Sequence, residues 1–193
     1  MNINRKKQII QTAAELFKEN GYNAVSMRDL AEKLGIKAAS LYNHIDSKEE
    51  ILAEIIMDLA YSFTAHMDEV KHKKKSIVDK LKEIIEMYID TTIQKTDFLA
   101  CMNKEWKYLG EQKRNEYWEL RENYEKDFLN LVAEGIERKE LKKCEEKITA
   151  FSILSTLRTL YHWISKYDKI DEKLLKSSLQ ENLLFGIVNQ KNN

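Results

Sequence analysis

The chain has 193 residues, 43% hydrophobic and 33% charged, a balance that excludes a disordered or fibrous polypeptide and allows one ordinary domain or a small domain joined to a larger one. With no proline, five glycines and abundant Leu, Ile, Ala, Glu and Lys, the composition favours helix nearly everywhere and predicts an all-α fold. The zero net charge argues against a nucleic-acid partner only until it is counted by segment: residues 1–48 hold eight Lys or Arg against five acids, or +3, and the remainder, 24 against 27, is −3.

A first helix is predicted over Arg5–Asn20, with Ile10, Ala13, Ala14 and Phe17 at helical spacing and Gly21 as its stop. Ser26, followed three residues later by Asp29, reads as a capping box that opens a second helix of about two turns, with Leu30, Ala31 and Leu34 inward and Gly35 ending it. A third helix is predicted over Lys37–Ile45, with Ala38, Leu41 and Ile45 on one face and Lys37, Ser40, Asn43 and His44 pointing elsewhere. Ser47 with Glu50 forms a second capping box, starting a long helix through Ile51, Leu52, Ile55, Ile56, Leu59 and Phe63. Lys48 in its first turn opposes the helix dipole, a conflict that a nearby anion would remove.

The cluster His72-Lys73-Lys74-Lys75 marks a break between modules. Beyond it, helices are predicted around Val78–Thr92, over Phe98–Leu109 up to Gly110, over Gln112–Arg138, over Glu145–Tyr167 and over Asp171–Asn189. The least charged window, Ile148–Ser165, contains Arg158, His162 and several hydroxyl residues, and so predicts a buried helix and no membrane span. The N-terminal residues lack the apolar core of a signal peptide, and Cys101 and Cys144 have no C-x-x-C partner, so a reducing cytoplasm is expected, without a disulfide framework or a metal site.

A short helix, a Gly-containing turn and a second short helix packed on a preceding one make a helix-turn-helix, whose second helix enters the major groove. The stretch GYNAVSMRDLAEKLGIKAASLYNHIDSKEEIL resembles the DNA-binding domain of the tetracycline-repressor (TetR/AcrR) family of bacterial transcriptional regulators, over about Lys6–Ile56. The matching features, in order, are the Ala-x-x-Leu-Phe end of the first helix, Gly-Tyr before Ser26, Leu-Tyr-x-His at Leu41–His44, and Ser47-Lys48-Glu49-Glu50. The resemblance implies a helix-turn-helix domain over residues 1–47 and a helical ligand-sensing and dimerisation domain over residues 48–193. It implies a homodimer on a palindromic double-stranded DNA operator, released when a small molecule enters the C-terminal domain; some relatives with aromatic-rich sensors answer to acyl-coenzyme A or other lipophilic molecules.

Carried over by position, the resemblance implies that Ser26, Tyr42, His44 and Lys48 contact phosphates and that Arg28, Lys37, Ser40 and Asn43 face base edges. Groove chemistry adds that the small Ala38 or Ala39 can lie against thymine methyls, although many relatives carry other residues at these positions. Each has a plainer alternative, such as a core aromatic for Tyr42 or a surface histidine for His44. In the C-terminal half, Tyr88, Phe98, Met102, Trp106, Tyr117, Tyr124, Phe128, Tyr161 and His162 either line a pocket or fill the core. Arg158, alone among apolar neighbours, meets either a ligand anion or an acidic side chain, and the acidic side chain is the favoured expectation. The apolar residues of the last two helices, among them Phe151, Leu157, Leu174 and Leu179, predict a four-helix interface shared by two subunits. Neither a cofactor nor a membrane partner is expected. No P-loop, G-x-S-x-G or H-E-x-x-H occurs, so the reading is a regulator and not an enzyme.

Overall fold

The computed structural model of the chain describes residues 2–167 and 169–187. Every regular element among them is helical: α1 (Asn2–Asn20), α2 (Met27–Lys33), α3 (Ala38–Leu41), α4 (Lys48–His72), α5 (Ile77–Gln94), α6 (Thr96–Lys104), a 3-10 turn (Trp106–Tyr108), α7 (Glu111–Glu137), α8 (Glu146–Ile164) and α9 (Glu172–Leu184). The chain forms two compact units, Met1–Tyr61 with Asp97–Glu119, and Ser62–Thr96 with Leu120–Asn193.

In the first unit, α1 buries Ile9, Ala13, Ala14 and Phe17 completely, so the inward stripe begins one residue earlier than expected and Ile10 is half-buried. The helix stops where Gly21 takes φ +82°, its N–H donating to the Phe17 carbonyl at 2.9 Å, a conformation that a side chain would strain. At the end of α2, the Ile36 N–H reaches back to the Ala31 carbonyl at 3.0 Å around Gly35 at φ +64°. Leu30, Ala31, Leu41, Ile45, Ile51, Leu52, Ile55 and Ile56 close this core. Each fully buried Leu or Ile among them contributes about 1.5–3 kcal/mol relative to exposure. From α6, the Cys101 thiol donates to the Ala14 carbonyl at 3.6 Å, and Asp97 pairs with Lys18 at 2.8 Å. Burial pushes the Cys101 thiol pKa up to about 12.

In the second unit, Ser76 caps α5, and Glu140 accepts the Ile77 N–H at 2.6 Å. Lys80 is 95% buried, and its ammonium donates to the Lys71 carbonyl at 2.8 Å, closing the last turn of α4. The lysine cluster is the link between α4 and α5, and it does more than solvate a break: Lys73 and Lys75 both pair with Glu83. Phe63, Met67 and Val70 of α4, Leu81, Ile84, Ile85 and Ile89 of α5, Phe128 and Val132 of α7 and Leu154, Leu157 and Leu160 of α8 fill the interior.

Two predicted helices are corrected here in extent and one in burial. The stretch expected as one helix over Phe98–Leu109 breaks after Lys104 into α6 and the 3-10 turn. The window Ile148–Ser165 is not buried all round, since Ile148, Phe151 and Trp163 stand exposed on α8. Regular helix in α9 ends at Leu184 and a turn follows to residue 187; residues 188 and 189 of the expected stretch lie outside the described residues. No helix among the described residues is long and apolar enough to cross a membrane.

Candidate nucleic-acid interface

The frame of the helix-turn-helix is set by its caps. At α2 both halves of the predicted box form: the Ser26 hydroxyl accepts the Asp29 N–H at 3.3 Å, and Asp29 accepts the Ser26 N–H at 2.7 Å. These bonds from Ser26 hold the Asp29 carboxyl below its ordinary pKa. At α4 the box is only half as predicted. Ser47 accepts the Glu50 N–H at 3.0 Å, but the Glu50 carboxylate takes the N–H of Asp46 at 2.6 Å, one residue upstream.

Glu50 also pairs with Lys6 at 3.1 Å, and Lys6 reaches Glu54 as well. Burial opposes ionisation of Glu50, but the Asp46 N–H and Lys6 outweigh it and its pKa falls below the ordinary 4.5. The contribution of such a carboxylate is complete above that ordinary value and is lost as the pH drops through the depressed one. The expected result is a melting temperature that falls as the pH drops below the ordinary 4.5, with a shallower fall in Glu50→Gln, read by thermal unfolding on either side of that value.

The third helix is shorter than predicted. Regular helix covers four residues, Ala38–Leu41, and Tyr42–His44 continue as a turn in which the N–H groups of His44 and Ile45 both donate to the Leu41 carbonyl, at 3.0 and 3.2 Å. Lys37 enters it extended at φ −72° and ψ 142° without a side-chain cap. Leu41 and Ile45 are buried, and they hold the segment against its own unit. Lys37, Ala39, Ser40, Tyr42 and Asn43 are all exposed, as are Ser26 and Arg28, whereas Ala38 and His44 are half-buried. Tyr42, at 53% exposure, is therefore no core aromatic.

Lys48 is placed differently from its expected surroundings. Its ammonium donates to the carbonyls of Tyr22 at 2.9 Å and Val25 at 2.8 Å and lies 4.2 Å from the centre of the Tyr22 ring. Two of its three N–H bonds thus point into the chain, and burial lowers its pKa. The sequence alone does not reveal this anchor, because its acceptors are backbone carbonyls more than twenty residues away along the chain.

The candidate effector residues are divided between the units. In the first, Phe98, Met102 and Tyr117 are buried, and the half-buried Trp106 lies 6.0 Å from the Tyr117 ring and 5.4 Å from Trp118. In the second, Phe63 stacks on Tyr88 at 4.5 Å and meets Tyr124 edge-on at 6.3 Å, and Tyr88, Tyr124, Phe128 and Tyr161 are buried. The Tyr161 hydroxyl is 2.9 Å from Nε2 of the exposed His162. Arg158 meets an acidic side chain: it binds Oε1 of Glu125 at 2.7 Å, and Arg121 Nε shares that oxygen at 3.1 Å. This pair borders an open groove of about 280 Å³ with Leu129, Phe151 and Leu154 in its wall and Lys126 and Lys147 beside it.

The capped, turn-linked pair α2–α3, its polar residues turned outward, defines a helix-turn-helix protein. Residues 9–55 match the bacterial regulatory proteins of the tetR family, and residues 74–176 match the tetracyclin repressor-like C-terminal domain. The chain belongs to the TetR family of bacterial transcriptional regulators. It is 24% identical over 185 residues to the fatty acid metabolism regulator protein of Bacillus subtilis, covering 95% of each chain. Among solved structures it resembles the ketosteroid transcriptional regulator KstR2 of Mycobacterium tuberculosis, at a TM-score of 0.89 and 19% identity over 96% of each chain. It also resembles AibR, solved in complex with isovaleryl coenzyme A and operator DNA, at a TM-score of 0.78 and 20% identity over 93% of this chain and 98% of that one.

Proposed function

We propose that the protein is an effector-responsive repressor acting in the cytoplasm, which binds a palindromic operator as a homodimer and releases it when a small lipophilic molecule binds residues 48–193. The observation that carries this reading is the outward row Lys37, Ser40, Tyr42 and Asn43 beside exposed Arg28, held by buried Leu41 and Ile45. Arg28, Lys37, Ser40 and Asn43 read base edges, Ala38 and Ala39 lie against thymine methyls, and Ser26, Tyr42 and His44 hold phosphates. Lys48 pins the turn before α2 and lends its charge to the same phosphates.

The dimer forms through α8 and α9, whose Phe151 is 70% and Leu174 62% exposed in the single chain. Two copies then present their α3 segments about one helical turn of DNA, ~34–36 Å, apart. The effector is a molecule with an apolar body and an anionic head, of the acyl-coenzyme A kind. The cations Lys126 and Lys147 beside Leu154 and Phe151, and the B. subtilis relative's name, support that class. It changes operator affinity only by binding two states of the protein unequally.

Selection of bound duplexes from a random pool, followed by gel shifts at two salt concentrations with and without acyl-coenzyme A, tests the reading. The expected result is one palindrome, salt-sensitive binding and release by the acyl compound; a pool that yields no enriched duplex overturns it. In the same assay Arg28→Ala and Asn43→Ala are each expected to cost about 1–3 kcal/mol and to flatten preference at particular bases, whereas His44→Ala weakens all sequences alike.

A further inference from the structure

The turn that delivers Ser26 to α2 has little backbone support of its own. Its internal bond, from the Val25 N–H to the Tyr22 carbonyl, is 3.4 Å long, beyond the usual range for such a bond. Side chains hold it instead. Tyr22 packs edge-on against Phe17 at 5.2 Å, and its carbonyl, with that of Val25, is gripped by Lys48. The remaining support comes from far along the chain. Tyr108, in the 3-10 turn between α6 and α7, stacks on Tyr22 at 5.4 Å with the rings 22° from parallel. The end of the same turn lies close to the first turn of α4, for a methyl group on Gly110 would collide with Oε1 of Glu49. Residues 106–110 fall inside the stretch matching the C-terminal domain, yet they belong to the compact unit that carries the helix-turn-helix.

We propose that Tyr108 is a positioning residue for operator binding: by stacking on Tyr22 it fixes the Lys48-pinned turn and so sets where α2 and α3 meet the duplex. Rings stacked in this way favour one mutual placement, so a shift of the α6–α7 turn is passed to Tyr22 and from there to Ser26 at the head of α2. The residue touches no DNA in this scheme. It acts through Tyr22, and it gives the C-terminal stretch a grip on the DNA-reading helices that lies wholly within one compact unit.

The proposal rests on the operator-binding reading, and the two fail in different ways. Parent protein that enriches no duplex refutes the regulator reading, and with it any role in positioning for operator. Given an operator, Tyr108→Leu is expected to bind it about tenfold more weakly while still fully folded at the assay temperature, and Tyr108→Phe to bind like the parent, because the stack and not the hydroxyl is what counts. In a Lys48→Met background Tyr108→Leu is expected to cost less than about twofold further, since both act on one turn. Binding by Tyr108→Leu within about twofold of the parent, equal losses in the Leu and Phe variants, or full additivity with Lys48→Met would each overturn the proposal. If Tyr108→Leu melts below the assay temperature, Tyr108→Met takes its place under the same thresholds.

Discussion

If the proposed dimer forms through α8, glutamate at both Phe151 and Trp163 is expected to leave a monomer and to lower operator affinity about a hundredfold or more. Phe151 is 70% and Trp163 44% exposed in the single chain, and with Ile148 they are the large apolar side chains that α8 leaves exposed. A side chain that exposed contributes little to the fold of its own subunit, so the double variant should melt within about 1 kcal/mol of the parent monomer's stability. A two-fold interface buries each substituted position twice, so the double variant puts four carboxylates into one desolvated patch. Without the dimer, the two half-sites are no longer engaged by one linked molecule, and the gain from effective concentration disappears. Analytical ultracentrifugation beside gel shifts checks both halves. A variant that stays dimeric and binds like the parent removes α8 from the interface.

Lys48→Met is expected to cost stability and affinity together. The substitution leaves the carbonyls of Tyr22 and Val25 without their charged donor, and a bond to a charged group is worth about 1.5–3 kcal/mol. Allowing for water reaching a part-buried site, a loss of about 2 kcal/mol follows, or about 4–8 °C in melting temperature for a chain of this size. Affinity should fall for every sequence alike, and the slope of binding against salt should drop by about one if the remaining N–H also serves a phosphate. Parent-like melting with a reduced salt slope would make Lys48 a phosphate contact alone; a lower melting temperature with an unchanged slope would make it an anchor alone.

Much of this architecture was legible in the order of residues because its signals are local. Ser26 and Asp29 announced α2, Gly21 announced the end of α1, and the apolar rhythm from Ile51 to Phe63 announced α4. What the sequence concealed depends on partners distant along the chain. Lys37–Ile45 carries apolar residues at helical spacing, yet regular helix stops at Leu41, since burying Leu41 and Ile45 requires only one turn and the bend that follows. Phe98–Leu109 keeps its rhythm across Glu105, but there the chain tightens into the 3-10 turn that puts Tyr108 on Tyr22, a partner more than eighty residues away. Arg158 was read with two alternatives open, and the choice of Glu125 over a ligand anion needed the facing helix α7. The aromatic residues of the C-terminal half advertised apolar area but not its use, since Tyr124 and Phe128 have the same composition whether they line a cavity or close a core.

The environment of Cys101 has a practical outcome. A thiol with a pKa near 12, sealed beneath α1, carries almost no thiolate in neutral solution and reacts sluggishly with maleimides. Cys144, half-open on the segment leading into α8, is left as the more accessible of the two thiols in the chain. A single fluorophore can thus be attached to each chain of the unaltered protein, and energy transfer between labelled copies would report the proposed dimer without any engineered handle.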